Sequence, residues 1–328
     1  MKDLRPTIGL SHCLLGEQVR HNGGHLKQDW ITDELAQFVE FAPVCPEVEM
    51  GLGVPREAMR LVYEKDDISL ETSPTKKDKS APINNYTELA KETNVRLSKS
   101  IVEKIEEGLC GFIFAKKSPT CGLERVKIYN RDNGIPDKYG QGLFAEQLTQ
   151  AIPELPVIDS GRIINTQLRE DFVRQSMAFF QFHKLEKRIS ALQSFHRRYK
   201  YILMEYDHGQ VAELGRLAAQ GHESHEINNL FALYRRKFFE VLKAKSPSKK
   251  SRKNVFYHLL GYFKKELSAC DKKYFLDLVD DYDSGHVPYI TVVKFLDYFV
   301  HKYNQTYLAD QYYFEPYPKQ LSIHKDAK

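Results

Sequence analysis

Thr7-Ile8-Gly9-Leu10-Ser11-His12-Cys13 is a short apolar run that ends near a cysteine, and the pattern returns twice further along the chain. Phe38 to Val44 runs into Cys45, and Gly111-Phe112-Ile113-Phe114-Ala115 is followed by Cys121. Each run reads as a β-strand, and helical stretches lie between them, so the strands are expected to be parallel with their carboxyl ends along one edge. Open α/β sheets bind ligands in the crevice outside that edge. Three thiols far apart in sequence would therefore gather at one place, as a metal centre with one open position requires.

The intervening sequence fits this frame. Trp30 to Val39 carries Trp30, Ile31, Leu35 and Phe38 at helical spacing, and Tyr86 to Leu109 reads as a long helix. Pro46 and Pro55 exclude a central strand where they stand. Lys65 to Asn85 is polar and reads as a surface excursion. A polar loop around Asp132-Asn133-Gly134 precedes Gly140-Gln141-Gly142, a helix start, and Leu155-Pro156-Val157-Ile158 is a last strand. The pattern is that of a doubly wound α/β fold. From about Asn165 the chain reads as helices throughout. Apolar stripes run through Leu192, Phe195, Tyr199, Ile202, Leu203 and Tyr206, through Ile227 to Val241, and through Ile290 to Val300. The expected division is an α/β domain over residues 1–162, a helical connector over 163–188 and an all-α domain over 189–328.

At 328 residues the chain is long enough for two cores, and 42% hydrophobic with 28% charged residues is the composition of a folded protein. No apolar run reaches membrane-spanning length and Met1-Lys2-Asp3-Leu4-Arg5 lacks an apolar signal core, so the expectation is a cytoplasmic protein without a membrane partner. Five cysteines, an odd number, speak for thiol or metal chemistry over a disulfide framework. Charge is uneven. Glu186 to Lys328 holds 24 Lys+Arg against 17 Asp+Glu, whereas Met1 to Leu185 holds 24 against 27. A basic half joined to a mildly acidic one suggests that one part does chemistry while the other holds a polyanion. Lys243 to Lys253, with six positive charges, no acid, and Pro and Ser among them, reads as a flexible basic loop.

There is no Cys-x-x-Cys pair, which argues against a zinc ribbon or a ferredoxin-type run. Three convergent thiolates suit an iron–sulfur cluster with one open iron. Zinc on three cysteines and three packed structural thiols are the alternatives. Cys110, at the start of a strand, and Cys270, in the helical part, read as inert packing residues.

Four local strings narrow these alternatives. Cys13-Leu14-Leu15-Gly16-Glu17-Gln18-Val19-Arg20 with Asn22-Gly23-Gly24 comes first, and Pro43-Val44-Cys45-Pro46-Glu47 second. Gly51-Leu52-Gly53-Val54-Pro55-Arg56 and Ser118-Pro119-Thr120-Cys121-Gly122 complete the order. Together, over roughly Pro6 to Gly161, they resemble the thiouracil desulfidase (TudS) family, which implies a Rossmann-like fold and a 4Fe–4S cluster held by three cysteines. By motif position Cys13, Cys45 and Cys121 match the cluster ligands, Glu47 the catalytic carboxylate and Ser118 the active-site serine. Arg56 and Gly23-Gly24 match motif positions without an assigned role. His21-Asn22 departs from the family's usual Tyr-Asp. Phe195-His196-Arg197-Arg198-Tyr199-Lys200, Glu213-Leu214-Gly215-Arg216-Leu217, Gly261-Tyr262-Phe263-Lys264-Lys265 and Gly285-His286-Val287-Pro288 resemble the YbgA-type helical domain. Chains that fuse the two resemble the bacterial tRNA 4-thiouridine desulfidases (RudS), whose helical domain is thought to hold tRNA.

The resemblance implies hydrolytic desulfidation of 4-thiouridine in tRNA to uridine and sulfide, with no net redox change. A soft thiocarbonyl sulfur suits iron, Glu47 could take a proton from water, and Ser118 could donate to the sulfur or the developing oxyanion. Glu47 bonding backbone amides near Cys45 and Ser118 capping the Pro119 turn are the structural alternatives. Arg197, Arg198, Lys200, Arg235, Arg236 and, from the basic loop, Lys249, Lys250, Arg252 and Lys253 are candidate tRNA contacts. Other readings of the chain are a desulfidase of free thiouracil or another small thiolated compound, a nucleic-acid-binding protein with a sensing cluster, and a thiol or zinc enzyme.

Overall fold

The computed structural model describes residues 5–65, 67–74, 82–220, 226–321 and 323. Its elements, in chain order, begin with β1 (Thr7–Ser11), β2 (Glu40–Val44), α1 (Pro46–Glu49), β3 (Met59–Glu64), β4 (Asp67–Thr72), α2 (Thr87–Glu106) and β5 (Leu109–Phe114). Then come β6 (Val126–Asn130), β7 (Pro136–Gly140), α3 (Leu143–Ala151), β8 (Val157–Asp159) and α4 (Thr166–His183). The remainder is helical: α5 (Ile189–Tyr206), α6 (His208–Ala219), α7 (Ile227–Ala244), α8 (Lys249–Leu260), α9 (Ala269–Ser284), α10 (Tyr289–Lys302) and α11 (Thr306–Ala309). The chain forms two compact units, Met1–His183 with Lys319–Lys328, and Lys184–Pro318.

The first unit is built on a parallel sheet of order β2-β1-β5-β8. β1 pairs with β2 on one side and β5 on the other, so the chain reverses its winding direction at β1. That is the topological switch point of a doubly wound sheet, where the strand ends splay a crevice. Helices cover both faces. Phe112 and Phe114, two residues apart and so on one face of β5, set their rings 5.7 and 6.0 Å from Phe144 of α3. Gly111 points the other way, toward α4. A Cβ built there would stand 2.5 Å from Ser176 Oγ and 3.0 Å from the Phe172 ring, so the glycine is what lets α4 lie down on the sheet. The helix read as a connector is thus a layer of the first unit. The tail also returns to it, since Arg169 at the start of α4 donates to the Ile323 carbonyl at 3.0 Å.

A second, mixed sheet of order β4-β3-β6-β7 lies in the same unit, made of two antiparallel hairpins joined by the parallel β3–β6 pair. Its inner residues Leu61, Leu70, Val126 and Ile128 are buried with Ala90 of α2. This corrects one expectation and extends another. The stretch from Lys65, read as a surface excursion, holds edge strand β4. Residues 75–81 of that stretch lie outside the described residues. The polar loop around Asp132-Asn133-Gly134 stands as a turn, but it joins two strands, β6 and β7, that the sequence reading did not assign. Glu71 on β4 is 2% exposed, and it is buried tolerably because Arg131 and Ser69 both donate to its Oε1. Trp30 to Gln37 winds as a π turn followed by a 3-10 turn instead of a regular helix.

The second unit is a helical assembly around an aromatic core. Phe238 of α7 places its ring 5.2 Å from Phe195 and 5.5 Å from Tyr199 of α5, and 5.9 Å from Tyr234. Every residue of the α5 stripe named above is buried. Glu205 is also fully buried and accepts hydrogen bonds from Tyr289 and Tyr313, each at 2.7 Å. The basic loop expectation is corrected here. Lys243 lies in the last turn of α7, and α8 begins at Lys249 because the Ser248 hydroxyl caps it by accepting from the Ser251 N–H at 3.1 Å.

The α4 contact gives a test of the fold. Gly111→Ala is expected to destabilise the first unit by about 1–3 kcal/mol through overpacking, read as a lowered urea midpoint. Adding Ser176→Ala, which removes the oxygen in the way, is expected to recover part of the loss. Strict additivity of the two substitutions would show that the close approach is not what Gly111 permits.

Candidate functional site

Cys13, Cys45 and Cys121 meet at the carboxyl edge of the parallel sheet and line one cavity of about 370 Å3 with Glu47, Arg56, Ser118 and Thr120. Each is delivered by a different strand. Cys13 lies in the 3-10 turn that follows β1, closed by Gly16 in a left-handed conformation (φ 98°). Cys45 follows β2 directly and stands at the N-cap position of α1, where the backbone amides of Val48 and Glu47 work against the rise that burial imposes on its thiol. Cys121 lies in the turn after β5. That turn is clamped to the start of α3, where the free N–H groups of a helix need acceptors. Gly142, Leu143 and Phe144 donate to the carbonyls of Gly122, Pro119 and Thr120 at 2.7, 3.1 and 2.9 Å. A Cβ at Gly142 would stand 2.5 Å from the Thr120 oxygen, so only glycine allows the clamp to close this far.

The sulfurs share one electrostatic environment. Burial pushes the Cys13 thiol up to about 11, helped by the charge of Cys45 and opposed by Arg20. Burial likewise raises Cys45 and Cys121. For Cys121 the Ser11 hydroxyl opposes this, while Cys45, Glu47 and Cys13 reinforce it. In the protein alone the thiols stay protonated at neutral pH, and a bound cation is what would make them thiolates. Among the described residues no group of three or more His, Cys, Asp or Glu is arranged to hold a single metal ion. A tetrahedral zinc site, with Zn–S bonds of about 2.3 Å, draws its sulfurs to about 3.8 Å of one another. Three soft sulfur donors around one cavity suit a soft metal centre, an iron–sulfur cluster among them.

Glu47 does not bond the amides near Cys45. Its Oε2 accepts from Nε of Arg56 at 2.8 Å and also from Nη2, and its Oε1 accepts from Thr120 Oγ1 at 3.0 Å. Arg56 is itself pinned, donating to the Gly53 and Val19 carbonyls at 3.0 Å each. Ser118 does cap its turn, since its Oγ accepts the Thr120 and Cys121 N–H groups at 3.2 and 3.1 Å. Both lone pairs are then engaged, so the hydroxyl can act only as a donor, and Thr120 Oγ1 stands 3.1 Å away. A hydroxyl chain Ser118–Thr120–Glu47 results. Sequence reading missed Thr120 and left Arg56 without a role, because the partners of both come from other loops. The only sequence signal was a second hydroxyl beside Cys121. At the departure from the family pattern, Asn22 Oδ1 accepts the Gly24 N–H at 3.1 Å, holding a turn for which no carboxylate is needed. His21 lines the cavity.

The remaining cysteines differ from each other. Cys110 is fully buried, with its sulfur 3.5 Å from the Thr7 carbonyl, as a packing residue should be. Cys270 is exposed, which corrects that expectation, since it stands in the first turn of α9.

In the second unit the candidate polyanion contacts separate into two kinds. Arg252 is 5% exposed and lies over the Tyr289 ring at 4.2 Å, so it belongs to the core and cannot reach a phosphate. Arg198 stacks on Tyr312 at 3.9 Å and donates to its hydroxyl at 2.7 Å. Lys253 is paired with Asp283 at 2.7 Å, Lys249 donates to the Asp283 carbonyl at 2.9 Å, and Arg197 is paired with Asp310 at 2.6 Å. Lys200 and Arg235 are half-buried, whereas Lys250 and Arg236 are exposed, Arg236 at 3.9 Å from Glu240.

Comparison with known proteins matches two separate stretches of the chain. Residues 8–160 match the family described as 2-thiouracil desulfurase, and residues 200–318 match a family described as a protein of unknown function, DUF1722. The uncharacterized protein YbgA of Escherichia coli (strain K12) is 24% identical over 149 residues, which span 44% of this chain and 88% of YbgA. A solved structure titled 4Fe–4S-dependent thiouracil desulfidase TudS is 21% identical, with a TM-score of 0.35, over 48% of this chain and 93% of that one. No described helix is long and apolar enough to cross a membrane.

Thiol reactivity checks the site. In cluster-free protein at pH 8, Cys270 is expected to alkylate first, Cys13 and Cys45 far more slowly, and Cys110 last. Cys13 reactivity should climb about tenfold per pH unit toward about 11. The folded thiol is harder to ionise than one at its ordinary value of 9.0. Its stabilising contribution is therefore intact below pH 9 and lost as pH rises through about 11. Fast alkylation of Cys13 at pH 8 would contradict the burial described.

Proposed function

We propose that this chain, which carries a 2-thiouracil desulfurase domain ahead of a DUF1722 domain, is a hydrolytic desulfidase that converts 4-thiouridine in tRNA to uridine. The observation that carries the reading is the meeting of Cys13, Cys45, Cys121, Glu47 and Ser118, from separate strand ends, around one cavity. The balance is simple: a thiocarbonyl and water give a carbonyl and hydrogen sulfide, and no electrons enter or leave.

Cys13, Cys45 and Cys121 would hold a 4Fe–4S cluster. Bound there, such a cluster would supply a Lewis acid with affinity for thiocarbonyl sulfur. The protein supplies the rest. Arg56 occupies Oε2 of Glu47 with two N–H groups, which fixes the plane of the carboxylate. Oε1, with Thr120 on one lone pair, has the other free to take a proton from the attacking water. Ser118, confined to a donor role, directs its proton to Thr120 or to the substrate's developing negative charge. Glu47 and Ser118 favour catalysis over sensing, since a sensing cluster needs ligands but no proton acceptor beside them. In the helical unit the exposed Arg236 and Lys250, with Arg197, Lys200 and Arg235, are the residues proposed to meet tRNA phosphates. The same site acting on free thiouracil is the second reading, favoured by the description of the domain's family.

Anaerobically reconstituted protein incubated with thiolated tRNA is expected to release sulfide and restore uridine in equal amounts. Glu47→Gln is expected to keep the cluster's visible absorbance and lose at least about 10²-fold in turnover. Cys13→Ala, Cys45→Ala and Cys121→Ala should each lose the cluster, whereas Cys110→Ala and Cys270→Ala should retain it. Full activity in Glu47→Gln would reject it as the base. Arg236→Gln with Lys250→Gln, made in the full chain because the tail belongs to the first unit, should raise KM for tRNA and spare free thiouracil. Turnover of free thiouracil alone, with none on tRNA, would select the second reading.

A further inference from the structure

A second cavity, of about 720 Å3, opens on the outer face of the mixed sheet and shares Met59, Lys117 and Pro119 with the cysteine cavity. Among the described residues it is lined by four cations, Arg60, Lys117, Arg125 and Lys127, together with Tyr129 and Tyr139, and by no carboxylate. Strand geometry explains the grouping. Lys127 and Tyr129 alternate with the buried Val126 and Ile128, so they share the outer face of β6, and Tyr139 of β7 is the register partner of Lys127. Leu61 pairs with Ile128, which sets Arg60 beside Lys127 on that same face.

These cations differ from those of the helical unit. None of the four makes an ion pair or a hydrogen bond with another described side chain. Arg60 Nε is buried without a partner, and its guanidinium lies 5.2 Å from the Tyr129 ring centre. Tyr139 is 63% exposed. Unpaired cations around an exposed aromatic ring are what a nucleotide requires, with charge for its phosphate and a flat surface for a neighbouring base. A purely structural basic face would be expected to pair with carboxylates.

We propose that this second cavity is a subsite for the phosphate-bearing nucleotide backbone beside the pyrimidine that occupies the cysteine cavity. The inference depends on the desulfidase reading for which base lies next door, and adds that phosphate is held on the mixed sheet by Arg60 and Lys127, which lie outside the cysteine cavity. Arg60 and Lys127 hold phosphate oxygens, and Tyr139 offers a face to the adjoining base.

Equilibrium binding of uridine 3′,5′-bisphosphate and of uracil to the full chain tests this without requiring turnover. Arg125→Gln combined with Lys127→Gln, both exposed positions, is expected to weaken bisphosphate binding about tenfold. It should also lower the salt dependence of log Kd by about 2, and leave uracil binding as it was. Arg60→Gln and Tyr139→Ala are each expected to weaken the bisphosphate alone. Unchanged bisphosphate affinity in all of these variants, or equal losses for both ligands, would overturn the subsite. If the binding pattern holds while no thiolated substrate is turned over, the desulfidase reading fails and the nucleotide subsite stands.

Discussion

The parallel sheet brings its strand ends together at the β1–β5 switch point, and everything else in the site depends on that constraint. Parallel pairing forces β1, β2 and β5 to end at one edge, and each is followed within a few residues by a cysteine. The chain therefore needs no closely spaced ligand motif. Precision comes from the segments just past the strands: a 3-10 turn at Cys13, a helix cap at Cys45, and the clamp between the Cys121 turn and the start of α3. That clamp also sets the heights of Ser118 and Thr120, so a single loop conformation serves both ligand and proton placement.

The polar half of the site is as constrained as the sulfur half. Glu47 is largely shielded from solvent, with Arg56 on one oxygen and a hydroxyl on the other, which leaves it few orientations. Burial of such a pair costs desolvation energy and is worthwhile only where geometry or function requires it. The three thiols show the same tension, since burial and mutual repulsion keep them protonated until a cation offsets both.

Much of this was legible in the sequence. The strands ending near Cys13, Cys45 and Cys121 stood out as apolar runs bounded by turn residues, and the long helices by their stripes. The mixed sheet was not legible, because Asp67-Ile68-Ser69-Leu70-Glu71-Thr72 looks polar until Arg131 is seen to neutralise Glu71. Val126-Lys127-Ile128-Tyr129-Asn130 is likewise too short an alternation to stand out from its loop. Arg56 and Thr120 were beyond reach for a different reason, since each acts by touching a residue from another loop. Arg252 shows the converse failure. It belongs to a run of positive charge, yet its position on α8 turns it inward over Tyr289.

Native mass spectrometry of anaerobically prepared protein tests the central claim most directly. The account predicts a species heavier than the polypeptide by four irons and four sulfides, lost when any one of Cys13, Cys45 or Cys121 is replaced by alanine. A chain carrying a single zinc ion, or one that keeps its full inorganic core without Cys121, would contradict it.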